Sequence, residues 1–87
     1  MVWQIIFTRK AQKQINDLDK PIRSRMKKAI LEKLITSAAA YLEPLVGDLG
    51  GYYKFRVGDY HLICTKEGEK LIVIVVEIGH RSEIYKF

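Results

Sequence analysis

Gly58-Asp59 stands between two runs of alternating polarity, and this constrains the fold more than any other feature of the chain. Before it, Tyr53, Phe55 and Val57 alternate with Tyr52, Lys54 and Arg56; after it, Tyr60, Leu62 and Cys64 alternate with His61 and Ile63. A period of two is that of a β-strand, whose side chains point to opposite faces in turn. A Gly-Asp pair between two such runs reads as a two-residue hairpin turn. Two loop residues fix the register: Val57 opposes Tyr60, Arg56 opposes His61, Phe55 opposes Leu62 and Lys54 opposes Ile63. One face of this hairpin is apolar. The other carries Lys54, Arg56 and His61.

The remaining elements follow from periodicity. Val2 to Phe7 is apolar except for Gln4 and reads as a short strand covered on both faces. Thr8 is placed to cap a helix from Arg9 to Leu18, with Ala11, Ile15 and Leu18 as a narrow apolar stripe and Lys10, Lys13, Gln14 and Asp17 away from it. Asp19 caps a second helix with Pro21 in its first turn, where the missing N–H costs little. Its apolar positions, Ile22, Met26, Ala29, Ile30 and Leu34, carry it to about Thr36. Ser37 to Gly51 holds Pro44, Gly47, Gly50 and Gly51 and reads as a loop with at most one helical turn. Beyond Glu67-Gly68-Glu69, the β-branched run Leu71 to Ile78 predicts the central strand, broken by Gly79. Ser82 to Phe87 is a terminal strand or tail. The predicted class is α+β: an N-terminal strand, a helical hairpin, then a three- to four-stranded antiparallel sheet packed on the helices.

Length and composition narrow the function. Eighty-seven residues support one domain, spanning 1–87. Hydrophobic residues make up 48%, too many for a disordered chain. The net charge of +5 favours acidic or polyanionic partners. Cys64 is the only cysteine, which excludes an internal disulfide and fits a reducing compartment. Met1 to Phe7 lacks the basic leader of a secretory signal, and Leu71 to Val76 is far short of a membrane span, so a cytoplasmic protein without membrane contact is expected. One Cys and two His supply few soft ligands, so neither a metal nor another cofactor is expected. Cys64, on the apolar face, reads as a small hydrophobe rather than a nucleophile.

The polar hairpin face has two readings. It is a solvated outer face, or it is the start of an anion site. Gly79 is followed by His80, Arg81 and Tyr85, and a segment leaving the end of a central strand lies close to the hairpin beside it. Arg81 thereby joins Lys54, Arg56 and His61, with Tyr85 at the edge. Taken singly, Arg81 fits a surface ion pair with Glu77 or Glu83, and Tyr85 fits an edge aromatic. Together the group suits a phosphodiester backbone with a base stacked on tyrosine. The run Arg23, Arg25, Lys27 and Lys28 on the second helix reads equally as a solvated side or as a contact to nucleic-acid phosphates.

The stretch Leu49-Gly50-Gly51-Tyr52-Tyr53-Lys54-Phe55-Arg56-Val57-Gly58-Asp59-Tyr60, with Ile78-Gly79-His80-Arg81-Ser82-Glu83-Ile84-Tyr85 after it, resembles the RelE/ParE superfamily of bacterial toxins, nearer its RelE branch. The opening Ile5-Ile6-Phe7-Thr8-Arg9-Lys10-Ala11 and the helix break Leu18-Asp19-Lys20-Pro21-Ile22 are similar to the same family. The resemblance implies the toxin of a type II toxin–antitoxin pair, a metal-independent endoribonuclease that cleaves mRNA on the ribosome and inhibits translation. In that chemistry the ribose 2′-hydroxyl attacks the adjacent phosphorus, leaving a 2′,3′-cyclic phosphate and a free 5′-hydroxyl. By matching position, Lys54 and Arg56 are the strand cations, Arg81 is the phosphate clamp and Tyr85 stacks on or orients the substrate. The implied partners are the ribosome, mRNA and a cognate antitoxin that is acidic and partly disordered.

His61 departs from the family pattern, which commonly has arginine there. An imidazole does not replace a bidentate guanidinium on phosphate, but it serves as a general acid or base near neutral pH. If it is only a weakened substitute, His61→Arg raises the cleavage rate. Two other functions fit the resemblance: a ParE-like inhibitor of DNA gyrase without catalysis, and a degenerate toxin that only binds its antitoxin.

Overall fold

A computed structural model describes residues 2–80. Strand β1 (Gln4–Phe7) ends at Thr8, whose N–H still reaches Val75 O while its Oγ1 accepts the Ala11 N–H at 3.2 Å. One residue therefore closes the strand ladder and caps helix α1 (Arg9–Asn16). β1 is not covered on both faces as its sequence suggests, since Ile6 is 39% exposed. Asp19 occupies the N-cap of α2 (Lys20–Ala29) with Pro21 in the first turn, although its side chain makes no capping bond.

The second helix runs further than its apolar periodicity indicates. It passes through a π-helical stretch, Ile30–Leu34, into α3 (Ile35–Tyr41), interrupted at Ser37 by a non-helical conformation. Ala38 to Ala40 supply the best helix-forming side chain, which explains helix where glycine and proline further on suggested loop. The break at Ser37 lies beside a carbonyl that leaves the helix ladder, Ile35 O, and the Trp3 N–H takes it at 2.7 Å. A short strand β2 (Glu43–Pro44) and a 3-10 turn at Gly47–Leu49 complete the connection.

The sheet has five strands in the order β1-β5-β4-β3-β2, with β3 (Tyr53–Val57), β4 (Tyr60–Glu67) and β5 (Ile72–His80). β1 pairs with β5 in parallel and every other pair is antiparallel. The middle strand is β4 rather than β5, and β5 continues through Gly79 instead of ending there. Leu71, expected in the strand, sits just before it at φ +54. The register matches Cys64 with Val75 and Ile63 with Glu77, leaving Val76 as an extra residue. That bulge reverses the alternation, so Val73, Val75 and then Ile78 face the core.

One core joins the layers. Ala11, Ile15, Met26, Ile30, Leu34 and Ala38 from the helices meet Phe55, Val57, Leu62, Cys64, Val73, Val75 and Ile78 from the sheet. Gln14, expected away from the apolar stripe, is drawn inward. β1 stops opposite Val75, which leaves the edge of β5 beyond it without a strand, and α1 lies along that edge. Gln14 Oε1 accepts the Ile78 N–H at 2.8 Å, its Nε2 donates to Glu77 Oε1 at 2.6 Å, and Lys10 pairs with the same carboxylate.

Candidate functional site

The hairpin register is the one its turn dictates: Arg56 opposite His61, Lys54 opposite Ile63, Val57 opposite Tyr60. Gly58 has φ +59, while Asp59 is not in the left-handed region. That is the pattern of a two-residue turn with glycine in its first central position. The turn therefore determines which side chains meet on the face away from the helices.

That face is not a uniformly solvated cationic surface. Arg56 is exposed, and its Nε donates to Gly58 O at 3.2 Å, which ties the guanidinium to the turn. The Lys54 side chain is only 21% exposed and pairs with Glu43 of β2 at 3.7 Å. β2, which the sequence did not reveal, brings this acid to the edge of the hairpin. His61 is 3% exposed, buried in the sheet with Arg56 opposite on one side and Gly79 opposite on the other. Its neighbour on the same face, Ile63, is 2% exposed. Of Lys54, Arg56 and His61, the two strand cations of β3 therefore reach the surface and the imidazole does not. Arg81 and Tyr85 lie outside the described residues.

Two features beside the hairpin escaped the sequence reading. Tyr60 and His80 meet edge to face, with ring centroids 5.4 Å apart and planes at 86°. Their pairing follows from the register of β4 with β5, which the bulge at Val76 sets. Arg25 of α2 also reaches the turn: a β-carbon placed on Gly58 would lie 3.6 Å from Arg25 Nη1. Only tertiary packing of α2 over the hairpin brings that residue here. Cys64 is fully buried, and burial pushes its thiol up to about 12, so it is an inert core side chain. Among the described residues no group of three or more His, Cys, Asp or Glu is disposed to hold a metal ion. No helix among them is long and apolar enough to cross a membrane.

The family model for the ParE toxin of type II toxin–antitoxin systems matches residues 5–85. The chain belongs to this toxin family. It lies within the RelE/ParE superfamily and is the toxin of a type II toxin–antitoxin system. The toxin is 24% identical to Toxin RelG of Mycobacterium tuberculosis over 86 residues, 99% of each chain. It shares its fold with a chain of the RelBE2 toxin–antitoxin complex of the same organism, with a TM-score of 0.86 and 22% identity over 93% of the toxin and 100% of that chain. The isolated RelE toxin of E. coli superposes with a TM-score of 0.72 and 29% identity, over 97% of this toxin and 92% of that one.

Proposed function

We propose that the toxin is a metal-independent endoribonuclease that cleaves mRNA on the ribosome and so stops translation. The observation that carries this reading is the position of Arg56, oriented by its own turn, directly across from His61 and two residues from Lys54 on one sheet face. Attack of a ribose 2′-hydroxyl on the adjacent phosphorus builds negative charge on the phosphorane. A fixed guanidinium aimed at that charge stabilises it more than the ground state. Lys54 adds a second cation, screened in the free protein by Glu43. His61 stands directly across from Arg56 in the sheet and is almost fully enclosed. By the family resemblance Arg81 clamps the phosphate and Tyr85 orients the base.

The partner that restrains the toxin is a cognate antitoxin, acidic and partly disordered. Two observations support this chemistry. The net charge is +5, and a groove of about 310 Å³ on the helical side is lined by Phe7, Gln12, Ile15, Lys27, Ile30 and Leu31, with Leu31 63% exposed. An amphipathic acidic helix fits an apolar floor with a lysine at its rim.

The match to the ParE toxin model also supports a second reading, inhibition of DNA gyrase by binding alone. Primer extension on translated mRNA after brief expression separates the two. Discrete cuts within translated codons are expected. Intact mRNA with DNA damage would favour gyrase instead.

A further inference from the structure

Tyr41, Tyr52, Tyr53 and Tyr60 are the tyrosines among the described residues, and three of their rings are occupied. The Lys33 ammonium lies 5.6 Å from the centre of the Tyr41 ring, the Lys66 ammonium lies 4.6 Å from that of Tyr53, and Tyr60 meets the His80 ring edge to face. Tyr52 is the exception. Its side chain has no ring, cation or hydrogen-bond partner among the described residues, and the residue is 37% exposed. A ring left open to water forgoes the packing that a tyrosine otherwise contributes.

The backbone holds this ring in a defined place. The β2–β3 ladder pairs Glu43 with Lys54 and Pro44 with Tyr53, and it continues one step further through the Leu45 N–H, which donates to Tyr52 O at 2.9 Å. Tyr53 packs against the core. Alternation therefore turns Tyr52 to the opposite face, away from the helices, which is the face of Lys54 and Arg56. The three side chains stand in a row at steps of about 6.7 Å along the strand. The chain beside the ring is bare: a β-carbon placed on Gly51 would meet nothing within 4 Å. An open aromatic face followed by two cations matches a single-stranded polynucleotide, which offers a π surface at each base and a negative charge at each phosphate.

We infer that Tyr52 is a stacking platform for a nucleobase of bound RNA, with the strand running along β3 so that its next phosphates meet Lys54 and Arg56. This role rests on the ribonuclease reading and adds a binding residue that the cleavage chemistry itself does not require. An apolar contact with a partner protein is the competing occupant, since Val46, next to Leu45, is 87% exposed. It is disfavoured because Val46 and Tyr52 alone fall short of the few hundred Å², on the order of 300 or more, that marks a protein docking patch. The side chains beyond Tyr52 on its own face are both cations.

The test uses the purified toxin, a fluorescein-labelled single-stranded RNA of about 20 nucleotides and anisotropy between about 50 and 200 mM NaCl. Tyr52→Ala is expected to weaken binding about tenfold, the loss of one base–aromatic stack. Its salt slope should stay that of the parent, because no phosphate contact is removed, whereas Arg56→Ala should flatten the slope by about 0.7. Tyr52→Phe should bind as the parent does, since stacking uses the ring and not the hydroxyl. Tyr52→Leu keeps apolar bulk without a π face, so it should be as weak as Tyr52→Ala while keeping the melting temperature of the parent. If Tyr52→Ala binds RNA as the parent does while Arg56→Ala is weakened, the inference fails and the ribonuclease reading stands. Parental affinity in Tyr52→Leu, or a flattened slope in Tyr52→Ala, would also overturn stacking. If the parent shows no salt-dependent RNA binding, the platform fails, and primer extension on translated mRNA decides the ribonuclease reading separately. If Tyr52→Ala loses affinity for the antitoxin but not for RNA, the ring docks on protein and the inference is overturned.

Discussion

Arg56 and His61 are directly opposed across the β3–β4 hairpin, yet Arg56 is exposed and His61 is 3% exposed. The pair places a cation at the surface on top of an enclosed imidazole. This separates two roles that sequence alone leaves merged. On the ribonuclease reading, Arg56 is the member of the pair exposed enough to meet a phosphate, while His61 is enclosed in the sheet beside it.

The first prediction concerns that pair. Arg56→Ala should change stability by no more than about 0.5 kcal/mol, as surface substitutions do. It should lower mRNA cleavage about 10²-fold or more, the usual loss when one preorganised donor to a developing charge is removed. His61→Arg, expected from sequence to raise the rate, meets a closed site. A guanidinium there is buried beside Arg56, and we expect a loss of roughly 2–4 kcal/mol. Thermal unfolding and primer extension measured on both variants provide the check. A His61→Arg toxin that is as stable as the parent and cleaves faster would mean that the sheet face opens around residue 61.

The second prediction concerns Gln14, which takes the place of a missing strand at the end of β5. Gln14→Ala removes the acceptor for the Ile78 N–H and the donor to Glu77. The expected cost is about 1–3 kcal/mol, because part-buried polar groups lose their partners. Hydrogen exchange at the Ile78 amide should accelerate by a larger factor than at Val73, which lies within the β1-paired part of β5. Uniform acceleration at both positions would show that Gln14 contributes only to global stability.

The third prediction tests the turn. Gly58 at φ +59 occupies a conformation that residues with a β-carbon adopt at a cost. Gly58→Ala should destabilise by about 1 kcal/mol. The new methyl would stand 3.6 Å from Arg25 Nη1, an ordinary contact, so the cost comes from the backbone and not from a clash. Chemical denaturation measures it, and a loss above about 3 kcal/mol would point to steric conflict with Arg25 instead.

The hairpin was fully legible because its information is local: a period of two and a two-residue turn fix which residues oppose. Thr8 as a cap and the Pro21 helix start were legible for the same reason. What escaped was set by distant partners. His61 looks like an outward polar residue in its own strand, and only neighbouring strands reveal its burial. Glu43 meets Lys54 because β2, two residues long and containing a proline, adds to the sheet edge without any periodic signal. Gln14 and Arg25 are polar helix positions whose roles depend on where β1 stops and how α2 crosses the hairpin.

Cys64 gives the last prediction, and its sign follows from linkage. Burial raises the thiol from 9.0 to about 12 in the folded toxin. The stabilisation by the protonated thiol is complete below about pH 9, where the thiol is protonated in both states. Between about 9 and 12 the unfolded chain ionises while the folded one does not, so unfolding gains and stability falls as pH rises. The full loss is on the order of 3–4 kcal/mol. Lysines and tyrosines titrate in the same range, so the informative quantity is the difference between the parent and Cys64→Ala. Cys64→Ala should be less stable at neutral pH because it leaves a small cavity in a site with no solvent exposure. The gap should then narrow as pH climbs from about 9 to 11, because only the parent has a thiol to ionise. Iodoacetamide should leave the native thiol unmodified at mildly alkaline pH and label it fully in guanidinium chloride. Rapid labelling of the native toxin, with a gap that does not change with pH, would place Cys64 at the surface and contradict its position in the core.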